Sequence, residues 1–208
     1  MELLKTLFPD LTPSQLTQFE SLEDMYRHWN AQINVISRKD IDQFATRHLL
    51  HSLALGLFTT YKPGSRVMDV GTGGGFPGIP LAILFPEVQF HLVDSIGKKI
   101  KVVQEVTQVL ELKNVTSVQV RAEEVEGTFD YVVSRAVTRL SPFYAWVEKK
   151  IDFSKYTNSG FYALKGGDLG PEIKEFKSAY KTAHVTQFEI KDKLDDPFFE
   201  TKKIVFIN

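Results

Sequence analysis

The stretch Arg66-Val-Met-Asp-Val-Gly-Thr-Gly-Gly-Gly-Phe-Pro-Gly-Ile-Pro80 constrains the fold more than any other part of the chain. Arg66 to Val70 reads as a short buried strand, apolar except for Asp69 near its end. A sharp turn must follow, and Gly71, Gly73, Gly74 and Gly75 accept positive φ without a Cβ clash. Pro77 stands where a helix begins, a place that tolerates a missing N–H. Strand, bare turn and helix start together form a cradle whose backbone amides face a ligand unobstructed.

Spacing discriminates between ligands. A dinucleotide turn wants a third glycine at its sixth position, which counted from Gly71 is Phe76, so that match is incomplete. No Gly-Lys-Ser/Thr follows, which excludes a phosphate loop. The spacing acid-x-Gly-x-Gly-x-Gly is met in full by Asp69, Gly71, Gly73 and Gly75, which are the candidate ligand contacts of this turn. That pattern resembles the first motif of S-adenosylmethionine-dependent methyltransferases, where the turn faces an adenosine with an amino-acid tail.

The chain of 208 residues holds one domain, or one with an appendage, and is 43% hydrophobic. A net charge of −1 carries no general polyanion signal, so a nucleic acid would meet a local basic face. The absence of cysteine excludes structural disulfides, cysteine-ligated zinc and a thiol nucleophile. The N-terminus lacks a basic-then-apolar signal and no apolar run approaches a membrane span. A soluble, cytoplasmic, monomeric protein without membrane contact is expected.

Residues 1–60 read as a helical segment and 61–208 as the main domain, joined into one compact unit. Thr12 caps a helix with Pro13 in its first position, and Leu16, Phe19, Leu22, Met25, Tyr26 and Trp29 recur at helical spacing. A loop over Trp29–Arg38 leads to a helix from Asp40 or Ile41. Its Arg47, His48 and His51 share one turn; with no carboxylate pattern to complete a metal site, they read as a solvated or RNA-facing surface and no metal is expected. Strands then alternate with helices: strands at 66–70, 88–94, 117–122, 129–136 and 160–165, helices at 79–85, 98–112, 142–150 and 171–180. The segments 184–190 and 202–207 form a hairpin. The predicted fold is α/β, Rossmann-like, a mostly parallel seven-stranded sheet with an antiparallel last strand, as in class I methyltransferases.

Ligands bind beyond the carboxyl ends of such strands. Asp94 ends the second strand, where its carboxylate can accept two ribose hydroxyls. At the end of the third, Ala122 leaves room for a flat adenine and Glu123 can accept from its amino group. The fourth ends Ser134-Arg-Ala-Val-Thr-Arg139, without the Asn/Asp-Pro-Pro-aromatic motif that grips an amine. The remaining acceptors are an atom with a free lone pair, an oxygen, or a small molecule.

Asp69-Val-Gly-Thr-Gly-Gly-Gly-Phe-Pro-Gly-Ile-Pro80, Ala122-Glu123, Ser134-Arg-Ala-Val137, Leu164-Lys-Gly-Gly167 and the Arg47-His48 helix follow in one order. Together they resemble the bacterial 16S ribosomal RNA (guanine-N7) methyltransferases, the glucose-inhibited division protein B family, over nearly the whole chain. The resemblance implies S-adenosylmethionine contacts at Gly71, Phe76, Ala122, Glu123 and Arg135, and 16S ribosomal RNA, free or in the small subunit, as substrate. The chain departs from the family at His51, where Asp is frequent. Guanine N7 needs no deprotonation, so Arg135, Arg139 and Lys165 are expected to position rather than to move protons. Arg47, His48, Lys98, Lys99 and Lys165 are the candidates for RNA contact. A small-molecule methyltransferase and a non-catalytic nucleotide-binding module are the alternative readings.

Overall fold

The computed structural model describes residues 1–37 and 40–208. Seven strands, β1 (Arg66–Val70), β2 (Gln89–Asp94), β3 (Val115–Gln119), β4 (Tyr131–Arg135), β5 (Gly160–Gly166), β6 (Val185–Glu189) and β7 (Lys202–Ile207), form one sheet in the order β3-β2-β1-β4-β5-β7-β6. β1 to β5 are parallel, and β7 runs antiparallel between β5 and β6. The chain steps outward from β1 through β2 to β3, then returns to the other side of β1 with β4. Between β1 and β4 the crossovers diverge, and a crevice opens at the carboxyl ends of both strands.

The helices are α1 (Glu2–Leu7), α2 (Pro13–Gln32), α3 (His51–Phe58), α4 (Gly78–Leu84), α5 (Gly97–Val109), α6 (Leu140–Val147) and α7 (Gly170–Ala179). A π-helical turn, Ala45–Leu50, leads into α3. The predicted loop Trp29–Arg38 ends on a residue outside those described; α2 itself runs on to Gln32. Thr12 and Gln15 start α2 reciprocally: Thr12 Oγ1 accepts from Gln15 N at 3.3 Å and Gln15 Oε1 accepts from Thr12 N at 2.9 Å. Gln15 Nε2 then donates to Ile83 O at 2.7 Å, fastening α2 to α4.

Phe19, Leu22, Tyr26, Phe44 and Leu53 from the N-terminal helices share one core with Val67, Phe90, Leu92 and Ile204 of the sheet. The opposite sheet face packs Met68, Val132, Phe161 and Val205 against α6 and α7 through Phe143, Val147 and Phe176. No described helix is long and apolar enough to cross a membrane.

Several boundaries differ from the expected ones for local reasons. β3 stops at Gln119, the partner of Asp94, and Ala122–Glu124 forms a short 3-10 turn beyond it. β4 stops at Arg135 because Ala136 takes φ 54°, outside extended backbone. α5 ends at Val109, before Glu111 at φ 54°.

Candidate functional site

The glycine turn leaves the carboxyl end of β1 with Gly71, Gly73 and Gly75 at φ 67°, 60° and 104°. Gly71 N and Thr72 N donate to Val93 O at 2.9 and 3.0 Å, which lays the turn over the end of β2. A Cβ on Gly73 would meet nothing within 4 Å, so this backbone borders open space. Tyr26 Oη donates to Gly74 O at 2.5 Å; burial pushes this phenol well up, so it keeps its proton. Asn30 Oδ1 accepts from Val35 N and Ile36 N, both at 2.9 Å, bending the chain so that Val35 closes over Gly74.

Asp69 was expected to face the ligand; the structure corrects this. Its side chain is completely buried beneath the turn, where Oδ2 accepts from Thr72 Oγ1 at 2.6 Å and from Gly78 N at 2.8 Å. Oδ1 has no partner, and burial raises the pKa to about 7. Alternation along β1 turns the residue toward α4, away from the crevice. Gly75 likewise lies behind the crevice, its missing Cβ directed at Ile79.

A cleft of about 480 Å³ occupies the crevice. Its lining includes seven predicted residues: Gly71, Gly73, Phe76, Asp94, Ala122, Glu123 and Arg135. Asp94 Oδ2 accepts from Gly73 N at 3.0 Å and Oδ1 from Ile96 N at 2.9 Å, which leaves each oxygen further accepting capacity. Lys99 lies 3.7 Å from Asp94 Oδ2 and lines the cleft. Lys98 remains exposed on α5. Sequence reasoning missed Val35, Ile96, Arg121, Val137 and Trp146 in the lining. Ile96 and Val137, 40% and 37% exposed, are apolar residues on the rim whose only sequence signal was to follow a strand-end motif.

Arg135 links the cleft to the N-terminal helices. Nη1 donates to Arg47 O at 3.2 Å, Nη2 lies 3.0 Å from His48 Nδ1, and the guanidinium lies 5.1 Å from the Phe76 ring centroid. A guanidinium only donates, so His48 Nδ1 accepts and the imidazole is neutral with its proton on Nε2. Burial first, then the charge of Arg135, lowers the His48 pKa to about 4. His48 is packed against Phe44 and Phe76 at 6.0 and 5.2 Å and is not a solvated residue. His51 is buried against Phe198 and Phe199 at 5.4 and 6.1 Å. The face of α3 that an isolated helix would expose is covered by the β6–β7 connection. Arg47 is half-buried in an ion pair with Asp40.

Arg139 and Lys165 do not line the cleft. Arg139 is exposed and paired with Glu175 on α7. Lys165 donates to Thr138 O at 2.6 Å and Glu172 Oε1 at 2.8 Å, and the same Glu172 oxygen accepts from Leu140 N at 2.6 Å. Lys165 is therefore the clamp of the 136–140 loop, not a free cation awaiting phosphate. That loop presses on the glycine turn: a Cβ on Gly71 would come within 2.5 Å of Val137 Cγ2.

A bare-backbone floor, an acid with spare lone pairs and a small residue at the third strand's end fit an adenosine bearing an amino-acid tail. The family profile described as rRNA small subunit methyltransferase G, GidB, matches residues 15–199. The chain belongs to this family. Ribosomal RNA small subunit methyltransferase G of Christiangramia forsetii is 52% identical over 209 residues, 100% of this chain and 96% of that protein. The protein of the same description from Flavobacterium psychrophilum is 54% identical over 212 residues, 100% of this chain and 97% of its own. The crystal structure of a SAM-dependent methyltransferase from Aquifex aeolicus superposes with TM-score 0.58 at 13% identity, covering 79% of this chain and 92% of that one. At that identity the likeness concerns the fold, which is that of S-adenosylmethionine-dependent methyltransferases. S-adenosylmethionine is the cofactor, and Gly71, Gly73, Phe76, Asp94, Ala122 and Glu123 line the cleft.

Proposed function

We propose that the chain transfers a methyl group to N7 of a guanine in the 16S RNA of the small ribosomal subunit, acting as a monomer in the cytoplasm. The observation that carries this reading is the absence, among the described residues lining the cleft, of any imidazole or thiol to take a proton. Asp94 is engaged by two backbone amides, and His48 is half-buried with Nδ1 committed to Arg135. The bound cofactor supplies a methyl on a sulfonium sulfur, already activated for displacement. Guanine N7 presents a bare lone pair, so the protein has only to align the acceptor and exclude water.

Arg135 fits the aligning role. Its guanidinium is fixed against Phe76, and its remaining N–H groups favour a contact to guanine O6 that leaves N7 free. N7 lies in the deep, narrow groove of A-form RNA, so the target is an unpaired or extruded base. Arg47 and the exposed Lys98 are the RNA contacts that this reading retains; the N-terminal residues act in it as part of the same unit as the methyltransferase fold. The deciding experiment is transfer from labelled cofactor to RNA of cells lacking the protein, followed by reduction and aniline. One new cleavage site in the small-subunit RNA is expected, since N7 methylation weakens the glycosidic bond. Label incorporated without aniline sensitivity assigns ribose or exocyclic methylation and overturns the N7 mechanism.

A further inference from the structure

The first residue of β7, Lys202, stands at the carboxyl end of β5 and pairs with no anion among the described residues. Lys191 and Lys203 of the β6–β7 hairpin are paired with Glu200 at 3.3 Å and Glu189 at 2.8 Å. Among the described residues Lys202 forms no ion pair; its ammonium lies 4.8 Å from the centroid of Phe198. The Arg47 guanidinium lies 5.7 Å from the same centroid. Phe198 is held for this purpose by Asp196, whose Oδ1 accepts from Phe198 N at 2.8 Å, and by edge packing on His51. Two positive charges thus converge on one half-buried ring.

Register places this cluster beside the cleft. Lys202 pairs with Gly166, so it stands at the carboxyl end of β5, and a Cβ on Gly166 would lie 3.1 Å from its Nζ. Gly167 follows at φ 81° with nothing within 4 Å of its missing Cβ, leaving the approach open. Arg47 carries the carbonyl that accepts from Arg135, and Arg135 lines the cleft. Asp94 and Ala122 lie on the β2–β3 side of the switch point, whereas this cluster lies on the β4–β5–β7 side. With the adenosine on the first side, the methyl acceptor arrives on the second.

We propose that Arg47, Phe198 and Lys202 form a phosphate-binding subsite for the RNA strand that carries the target base. This rests on RNA being the substrate. An ammonium over a half-buried ring is weakly held, and a phosphate oxygen offers it a charge-assisted hydrogen bond in exchange. The ring keeps the lysine extended toward the cleft until the strand arrives, which lowers the entropy lost on binding. Arg47, anchored by Asp40, adds a second charge at a fixed place.

The test compares Lys202→Gln, Phe198→Leu and Lys191→Gln in the full chain, with small-subunit RNA and labelled cofactor at several salt concentrations. Lys202→Gln is expected to raise KM for RNA several-fold and to reduce the slope of log affinity against log salt by about one. Phe198→Leu, which keeps an apolar side chain and removes the aromatic ring, raises KM by a smaller factor. Lys191→Gln removes the same charge from the same hairpin and leaves both quantities unchanged. Cofactor affinity by calorimetry is the same in all three. RNA methylation with an unaltered KM and slope in Lys202→Gln, or equal effects of Lys202→Gln and Lys191→Gln, overturns the subsite and leaves the function standing. No transfer to RNA by the unaltered chain overturns both.

Discussion

The two walls of the cleft are held by different means. The wall formed by the glycine turn consists of strand ends and turns between Arg66 and Glu123, joined through backbone amides by bonds such as Gly71 N to Val93 O and Gly73 N to Asp94 Oδ2. The opposite wall is assembled from segments far apart in the chain. Arg135 reaches back to Arg47 and His48, Lys165 holds the loop at Thr138, and Phe198 covers His51. Backbone geometry stiffens the first wall, which suits a constant ligand. Side-chain contacts set the second, where a single substitution can shift a whole segment.

Substitution of Gly73 tests the first wall most severely. Gly73→Val puts a branched side chain into the open cleft at φ 60°, and should abolish cofactor binding, a loss beyond about a hundredfold. The backbone strain, about 1–3 kcal/mol, should lower the Tm by only several degrees. Normal affinity by calorimetry would mean that the cofactor does not rest on this turn.

Asp94→Ala should weaken cofactor binding roughly tenfold to a hundredfold, because ribose acceptors and the tether to Gly73 N vanish together. KM for RNA at saturating cofactor should hardly move. A change confined to KM for RNA would reverse the assignment of the two walls.

Lys165→Met probes the loop of the second wall. Freed from Lys165, the 136–140 segment loses the clamp at Thr138 O, and turnover should fall by about tenfold. The salt dependence of RNA binding should not change. A slope reduced by about one would reinstate Lys165 as a phosphate contact.

The walls also differ in their response to pH. Asp69 has a folded pKa of about 7, above its unfolded value of 3.8, so its contribution is complete below about 4 and is lost as pH rises to about 7. His48 is lowered from 6.5 to about 4, so its contribution is complete above about 6.5 and is lost as pH falls to about 4. Denaturant titrations from pH 4 to 8 should show Asp69→Asn gaining on the unaltered chain as pH rises, and His48→Gln gaining as pH falls. Neither slope should exceed about 1.4 kcal/mol per pH unit. The smallest effect is in the unaltered chain, where the two windows overlap and oppose each other. Parallel profiles for all three proteins would remove both residues from the pH response.

Local sequence carried much of the first wall. β1 at Arg66–Val70 and β7 at Lys202–Ile207 follow from the apolar pattern and the turns that bound them. Gly71, Gly73, Asp94 and Ala122 reach the cleft because their places at or just beyond strand ends are set within a few residues. Asp69 was misread for a reason of geometry: a motif gives spacing, but the face a strand residue takes depends on what packs on each side of the sheet. His48 and Lys165 differ from their expected roles for a reason of partners, and Arg47 gains a partner that its sequence position does not show. Each is a cation or imidazole that looks free in sequence and is matched by Asp40, Arg135 or Glu172 only after folding.

The sequence by itself determined the alternation of strands and helices, the cofactor turn and the absence of thiol chemistry. These depend on periodicity, on glycine's backbone freedom and on composition, all of which are local. Tertiary structure alone decided that Tyr26 and Val35 would close over the turn, that His48 would be neutral and that Lys202 would find no anion among the described residues. Burial and charge pairing are sums over neighbours, and those neighbours come from segments that only the folded sheet brings together.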